Sequence, residues 1–187
     1  MKKKGKAYTV NYRRKREGRT DYRSRLKLLS SKNFRVVLRR RLNNFSVQLV
    51  KYDPAGDKVV ISAYTRELLK YGWKGHRGNL SSAYLVGLLC GLKAKKAGFS
   101  SAIVDLGLFR AIQGSGFFAA IKGLKDSGFN VAVNKDSLPG DDRISGKHID
   151  NYALQLKGKD IYNKQFSVYL KLGLKPEEFS KHFEEVK

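Results

Sequence analysis

The chain has 187 residues, 41% of them hydrophobic, with 39 Lys and Arg against 16 Asp and Glu and a formal net charge of +23. That much apolar content can bury a core and excludes a wholly disordered chain, and the length fits one domain with an extension. The charge is uneven: residues 1–41 hold 17 Lys and Arg against two acids, a net +15, which points to a polyanionic partner. No apolar run approaches the roughly 20 residues of a spanning helix. The longest, residues 83–90, contains Gly87, so no membrane partner is expected. Three lysines near the start are followed by no apolar segment, so the N-terminus does not read as a secretory signal and a cytoplasmic location is expected. Cys90 is the single cysteine. It leaves no intramolecular disulfide and no thiolate zinc site, and reads as a small core residue.

Residues 1–30 read as a basic arm followed by a short helix. From Tyr12 to Arg25 the chain holds seven cations, Arg13, Arg14, Lys15, Arg16, Arg19, Arg23 and Arg25, with Tyr12 and Tyr22 among them and only two acids. So much like charge cannot collapse on itself and needs a polyanion to settle it. Arginine forks grip phosphate oxygens in pairs, and tyrosine rings stack on unpaired bases. Lys3 and Lys4 extend the same candidate surface. Residues 2–19 are expected to be extended. Thr20 or Asp21 is expected to cap a helix to about Leu29, with Leu26 and Leu29 inward and Arg23, Arg25 and Lys27 outward.

Residues 31–135 read as a mixed α/β core. In residues 34–42 the period is two: Val36, Leu38 and Leu42 share one face, while Arg35, Arg39 and Arg41 flank Val37 on the other and become candidate RNA contacts. Asn43-Asn44 suits a tight turn, since Asn tolerates positive φ. A second strand puts Phe45, Val47 and Leu49 inward, residues 53–57 turn, and residues 59–64 form a third strand. One or two helical turns follow at 66–71. The loop 72–78 holds three glycines, Trp73, Lys74, His76 and Arg77. Those four, with Asn79, are further candidates, although Trp73 could equally be tucked into the core. Asn79 or Ser81 caps a helix from about 80 to 97, with Leu85, Leu88, Leu89 and Leu92 as its apolar face. A buried strand at 101–106, a helix at 117–127 and another strand at 129–133 complete two βαβ crossovers. An antiparallel meander feeding a parallel half makes one mixed sheet with packed helices. Residues 136–187 read as a helical extension: a turn at 138–142, then helices near 146–157, 159–172 and 176–185.

No catalytic or metal motif is apparent, and no cofactor is expected. His76, His148 and His182 lack ligand spacing. Gly114-Ser115-Gly116 ahead of a helix resembles an anion cradle, with Ser115 the candidate contact, but it lacks the lysine of a nucleotide-binding loop. Two alternatives remain open. An RNase-H-like nuclease would need clustered acids for two metals, and Asp105 is the one usable acid near a strand end. A generic nucleic-acid-binding protein would show no preference among polyanions.

Four stretches together resemble a known family: Tyr12 to Leu26; Gly78 to Leu85; Asp105-Leu106-Gly107-Leu108 with Gly114-Ser115; and Leu138 to Ile144. They are similar, in order from about residue 9 to 150, to the 5S-rRNA-binding large-subunit ribosomal proteins, number eighteen in the bacterial and archaeal count. The length resembles archaeal members. The resemblance implies an RNase-H-like layout without the nuclease acids. It also implies a non-enzymatic role holding 5S rRNA to the central protuberance, beside 23S rRNA and the other 5S-binding ribosomal protein. By position it implies that the arm residues make the main RNA contacts, with the loop 73–79 second. Family members commonly carry a proline before the Gly-Ser, where this chain has Arg110-Ala111-Ile112-Gln113.

Overall fold

The structure is a computed structural model and describes residues 9–187. Two short helices, α1 (Arg13–Arg16) and α2 (Tyr22–Ser30), precede a meander of β1 (Arg35–Arg40), β2 (Phe45–Lys51) and β3 (Lys58–Tyr64). A 3-10 segment, Glu67–Tyr71, leads to α3 (Leu80–Lys96), β4 (Ser101–Asp105), α4 (Gly116–Asp126) and β5 (Asn130–Val131). The rest is helical: α5 (Asp141–Ser145), α6 (Lys147–Leu156), α7 (Asp160–Gln165), α8 (Ser167–Lys171) and α9 (Phe179–Val186). The five strands form one sheet in the order β3-β2-β1-β4-β5. β2 pairs antiparallel with both neighbours, while β1 with β4 and β4 with β5 are parallel. This is the mixed α/β architecture expected from the sequence. Among the described residues no helix is long and apolar enough to cross a membrane.

The period-two pattern builds the core. Val36 and Leu38 on β1 and Phe45, Val47 and Leu49 on β2 are all buried on the face that α3 and α4 cover. α3 and α4 lie side by side on that face, α4 reaching it through Phe117 against Phe45, and small residues line the seam between the two helices. A Cβ on Gly87 would collide with the Ala120 carbonyl, one on Gly91 with Ser127, and one on Gly123 with the Tyr84 carbonyl. Backbone meets backbone there, and no larger residue fits without separating the helices.

Several local expectations give way. β1 ends at Arg40, so Leu42 lies in the connection and is 88% exposed. The Arg41 N–H donates to the Asn44 carbonyl across that turn, and neither asparagine has positive φ; Lys32 is the one described non-glycine that does. Leu92 faces solvent because the buried side of α3 runs through Ala83, Val86, Gly87, Cys90, Gly91 and Ala94. The helix expected over 159–172 breaks at Phe166, whose ring turns into a small cluster with Ala153 and Leu156. Asp141 and Asp142 open α5 rather than lying in a turn, where carboxylates suit the positive helix end. β5 is two residues long, not five.

The C-terminal segment packs on the core rather than projecting from it. Phe179 and Phe183 of α9, with Leu174, belong to the same apolar cluster as the sheet. Trp73 is the meeting point: its ring takes Phe179 edge-on at 5.5 Å and His182 stacked at 5.3 Å. The Lys74 N–H donates to His182 Nε2 at 3.0 Å, so that nitrogen carries no proton. Burial pushes the His182 pKa down, against the pull of Glu185, and keeps the ring neutral.

The α3–α4 contact gives a stability prediction. Gly87→Ala should cost about 1–3 kcal/mol in chemical denaturation, as overpacking does. Gly140→Ala, at a negative φ with open space around it, should stay within about 0.5 kcal/mol.

Candidate nucleic-acid interface

Over its described residues the arm is a small helical hairpin rather than extended. The Tyr12 carbonyl accepts N–H bonds from Lys15 and Arg16, both at 3.0 Å, which closes the single turn of α1. Gly18, at φ 64°, then reverses the chain. The Arg19 N–H returns to the Arg14 carbonyl at 2.8 Å, and Arg14 Nε donates to Thr20 Oγ1 at 2.8 Å. The Tyr12 and Tyr22 rings lie 5.0 Å apart across the hairpin. Glu17 bridges Arg13 at 3.6 Å and Arg19 at 3.3 Å, which offsets part of the crowding of like charge. Asp21 caps α2, its Oδ1 accepting the Arg23 and Ser24 amides at 2.9 and 3.3 Å. The result is a folded platform on which Arg13, Arg14, Lys15, Arg16, Arg19 and Arg23 are all exposed.

α2 faces the sheet with a different side from the one expected. Leu26 is 70% exposed, whereas Leu28, Leu29 and Arg25 are half-buried. Arg25 turns inward because Asp57 waits there: Nη1 meets Oδ2 at 2.8 Å and Nη2 donates to Oδ1 at 2.9 Å. The same Asp57 accepts Arg35 Nη2 at 2.7 Å, and Arg35 Nη1 reaches Asp105 at 2.8 Å. Asp105 also takes the Gly107 amide at 2.8 Å and Arg39 Nη2 at 3.4 Å. Arg39 Nη1 in turn donates to the Leu38 and Asp105 carbonyls. Three arginines and two aspartates thus run in a chain from α2 across the open sheet face to the end of β4.

This chain changes how the β1 arginines are placed. Arg35, read from the sequence as a surface cation, is 1% exposed, with its two terminal nitrogens on carboxylates and its Nε buried without a partner among the described residues. Arg39 is partly exposed, and Arg41 is exposed. Partial burial raises the Asp57 pKa, but the hydrogen bonds from Arg25 and Arg35 outweigh it and hold the carboxyl below the usual carboxylate range. Asp105, the residue a nuclease reading would lean on, faces two guanidinium groups rather than a space for a cation.

The other sequence candidates scatter. Trp73 is in the core at 1% exposure. Lys74 and His76 are exposed, and Arg77 is half-buried. Asn79 caps α3, its Oδ1 accepting the Ser82 N–H at 2.8 Å, while its Nδ2 is buried without a partner among the described residues. Ser115 occupies the N-cap of α4 half-buried, its hydroxyl making no capping bond. Lys3 and Lys4 lie outside the described residues.

Two neighbouring cavities open on the sheet face away from α3 and α4. The larger, about 1010 Å3, lies under α2 and is walled by Arg14, Arg19, Arg25, Arg39 and the exposed ring of Phe109. The second, about 720 Å3, lies between the β1–β2 connection and the 3-10 segment, with Arg39, Arg41, Tyr64, Arg66 and Lys70 around it. Arg39 and Gln48 line both, so together they make one basic trough. Tyr64, Arg66 and Lys70 carry no motif, and the sequence reading missed them.

Two predictions follow from the ion chain. Arg35→Leu leaves two aspartates facing each other without their shared cation and should cost about 3–5 kcal/mol, as breaking a buried pair does. Asp57, whose pKa is lowered on folding, contributes stability that is present above the ordinary carboxylate pKa. That stability is lost as pH falls through the lower folded value. Hydrogen exchange of the α2 amides should therefore accelerate on acidification below that range, and Asp57→Asn should exchange fast at neutral pH already.

The arm, the meander, the Gly-rich loop and α3 are also where the chain matches a known family. The match is to the family described as Ribosomal large subunit proteins 60S L5, and 50S L18, over residues 6–99. The loop after β4 and residues 138–144, which the sequence resemblance included, lie beyond that stretch. With just over half its length matched, the chain belongs to this family of large-subunit ribosomal proteins.

Proposed function

We propose that this large-subunit ribosomal protein binds 5S rRNA and attaches it to the central protuberance, as an archaeal-type member acting in the cytoplasm. Its neighbours there are 23S rRNA and the other 5S-binding ribosomal protein. The observation that carries the reading is the hairpin of α1 and α2. Six exposed cations sit within eleven residues on a backbone already folded and tied to the sheet. Such an array suits phosphates spaced along a folded RNA, and preorganisation lowers the ordering cost of binding. Lys74 and Arg77, with His76 between them, add a second, smaller polar and cationic surface on the Gly-rich loop. The role is structural: Asp105 is used to hold arginines and not a metal.

The test is 5S rRNA binding across a salt series, with tRNA and duplex DNA as competitors. The comparison is a variant with Arg13, Arg16, Arg19 and Arg23 changed to Ala. All four are exposed, and among the described residues their side chains form ion pairs with Glu17 alone, so the fold should persist. If all four meet phosphates, the slope of log affinity against log salt should shrink by about 3. A flat salt dependence would sink the reading. Equal competition by every polyanion would reduce it to generic nucleic-acid binding.

A further inference from the structure

We infer that the trough does not end at the arm, and that its second cavity is a separate RNA site built for an unpaired nucleotide. The inference rests on the RNA-binding reading but on different residues. Among the groups lining this cavity Glu67 is the sole acid, and it is already occupied. Its Oε2 meets Lys93 Nζ at 2.5 Å, and its Oε1 accepts the Tyr64 N–H at 3.1 Å. Arg41, Arg66 and Lys70 form no ion pair among the described residues. Three cations therefore converge on one concave surface with no protein anion to neutralise them, which selects an anionic guest.

The rest of the lining says what kind of anion. Tyr64 is 41% exposed, and Gln48 Nε2 donates to its hydroxyl at 2.7 Å, which limits the freedom of the ring. Leu69, 50% exposed, adds an apolar wall. A duplex backbone asks only for point charges. A fixed aromatic ring and an apolar wall beside cations fit a base that has left its stack, with its phosphates on Arg41, Arg66 and Lys70. The volume, about 720 Å3, suits a guest the size of one or two nucleotides. Because Arg39 and Gln48 belong to both cavities, one strand can pass from the arm along the open sheet face into this groove.

The experiment titrates 5S rRNA and, separately, a short oligouridylate with four proteins, each checked for an unchanged melting temperature. These are Tyr64→Ala, Tyr64→Phe, Arg66→Ala with Lys70→Ala, and the four-arginine arm variant. Tyr64→Ala should lose about tenfold in affinity for both RNAs, as loss of one stacked base does, and Tyr64→Phe should retain most of it. The Arg66 and Lys70 double variant should lower the salt slope for oligouridylate by about 1.4, two phosphates on a single strand. The arm variant should weaken 5S rRNA binding and leave oligouridylate binding largely in place. Tyr64→Ala and the double variant binding both RNAs like the parent would overturn the site, as would equal losses for Tyr64→Phe and Tyr64→Ala. Retention of 5S rRNA binding by the arm variant, with oligouridylate still dependent on Tyr64, would instead remove the arm reading and leave the groove standing.

Discussion

The fold's outer half depends on one buried guanidinium. Arg35 sits near the middle of the sheet face that α3 and α4 leave open, and at 1% exposure it cannot be solvated. An unpaired cation there would be prohibitive, so Asp57 from the β2–β3 turn and Asp105 from the end of β4 close on it from two sides. Asp57 then has a free edge, and Arg25 of α2 takes it. This is how the arm acquires a fixed position. α2 has no fully buried residue, so apolar burial alone gives it little hold. Exchanging an ion pair for hydrophobic contact often gains stability, which suggests that such a chain is kept because it specifies one geometry. Here that geometry is the direction in which the arm's arginines point.

The two faces of the sheet therefore follow different physics. On one side, glycines at 87, 91 and 123 bring two helices to backbone contact, and the tolerance for change is small. On the other, charges in a part-open trough are set by carboxylates placed at strand ends, and the lining remains available to a guest. A closed apolar layer supplies the rigidity, and an open polar layer uses it. α9 completes the closed layer by laying Phe179 and His182 over Trp73, so the Gly-rich loop is anchored at its root while Lys74 and His76 stay at the surface.

The parts legible in the sequence were those governed by local rules. Alternation marked Val36, Leu38, Phe45, Val47 and Leu49 as core, and the Asp21 and Asn79 caps marked two helix starts. What was missed depends on which element covers which face. Nothing near Arg35 tells that α2 will lie over it, because its burial is decided by an aspartate 22 residues away and another 70 residues away. Trp73 in a loop of glycines looks like a ligand-binding aromatic until a helix more than a hundred residues later packs on it. Leu26 was chosen over Leu28 because a nine-residue helix has too few turns to fix its phase from pattern alone. The trough's far end was invisible for the same reason, since Asn44, Tyr64 and Lys70 come from three separate elements.

A part-folded arm also bears on how so much charge is tolerated. In an extended chain the seven cations between Tyr12 and Arg25 would repel one another freely, and each would have to be ordered on binding. In the hairpin Glu17 screens two of them and Arg14 is held by Thr20, while Arg25 is withdrawn into the ion chain and no longer competes for phosphate. What remains exposed is a set that a surface-scale dielectric leaves only weakly repulsive, and that salt screens further. The buried links are screened far less. At cellular ionic strength the arm thus keeps its place on the sheet while its outward charges are only loosely satisfied, a state that the approach of an RNA backbone relieves.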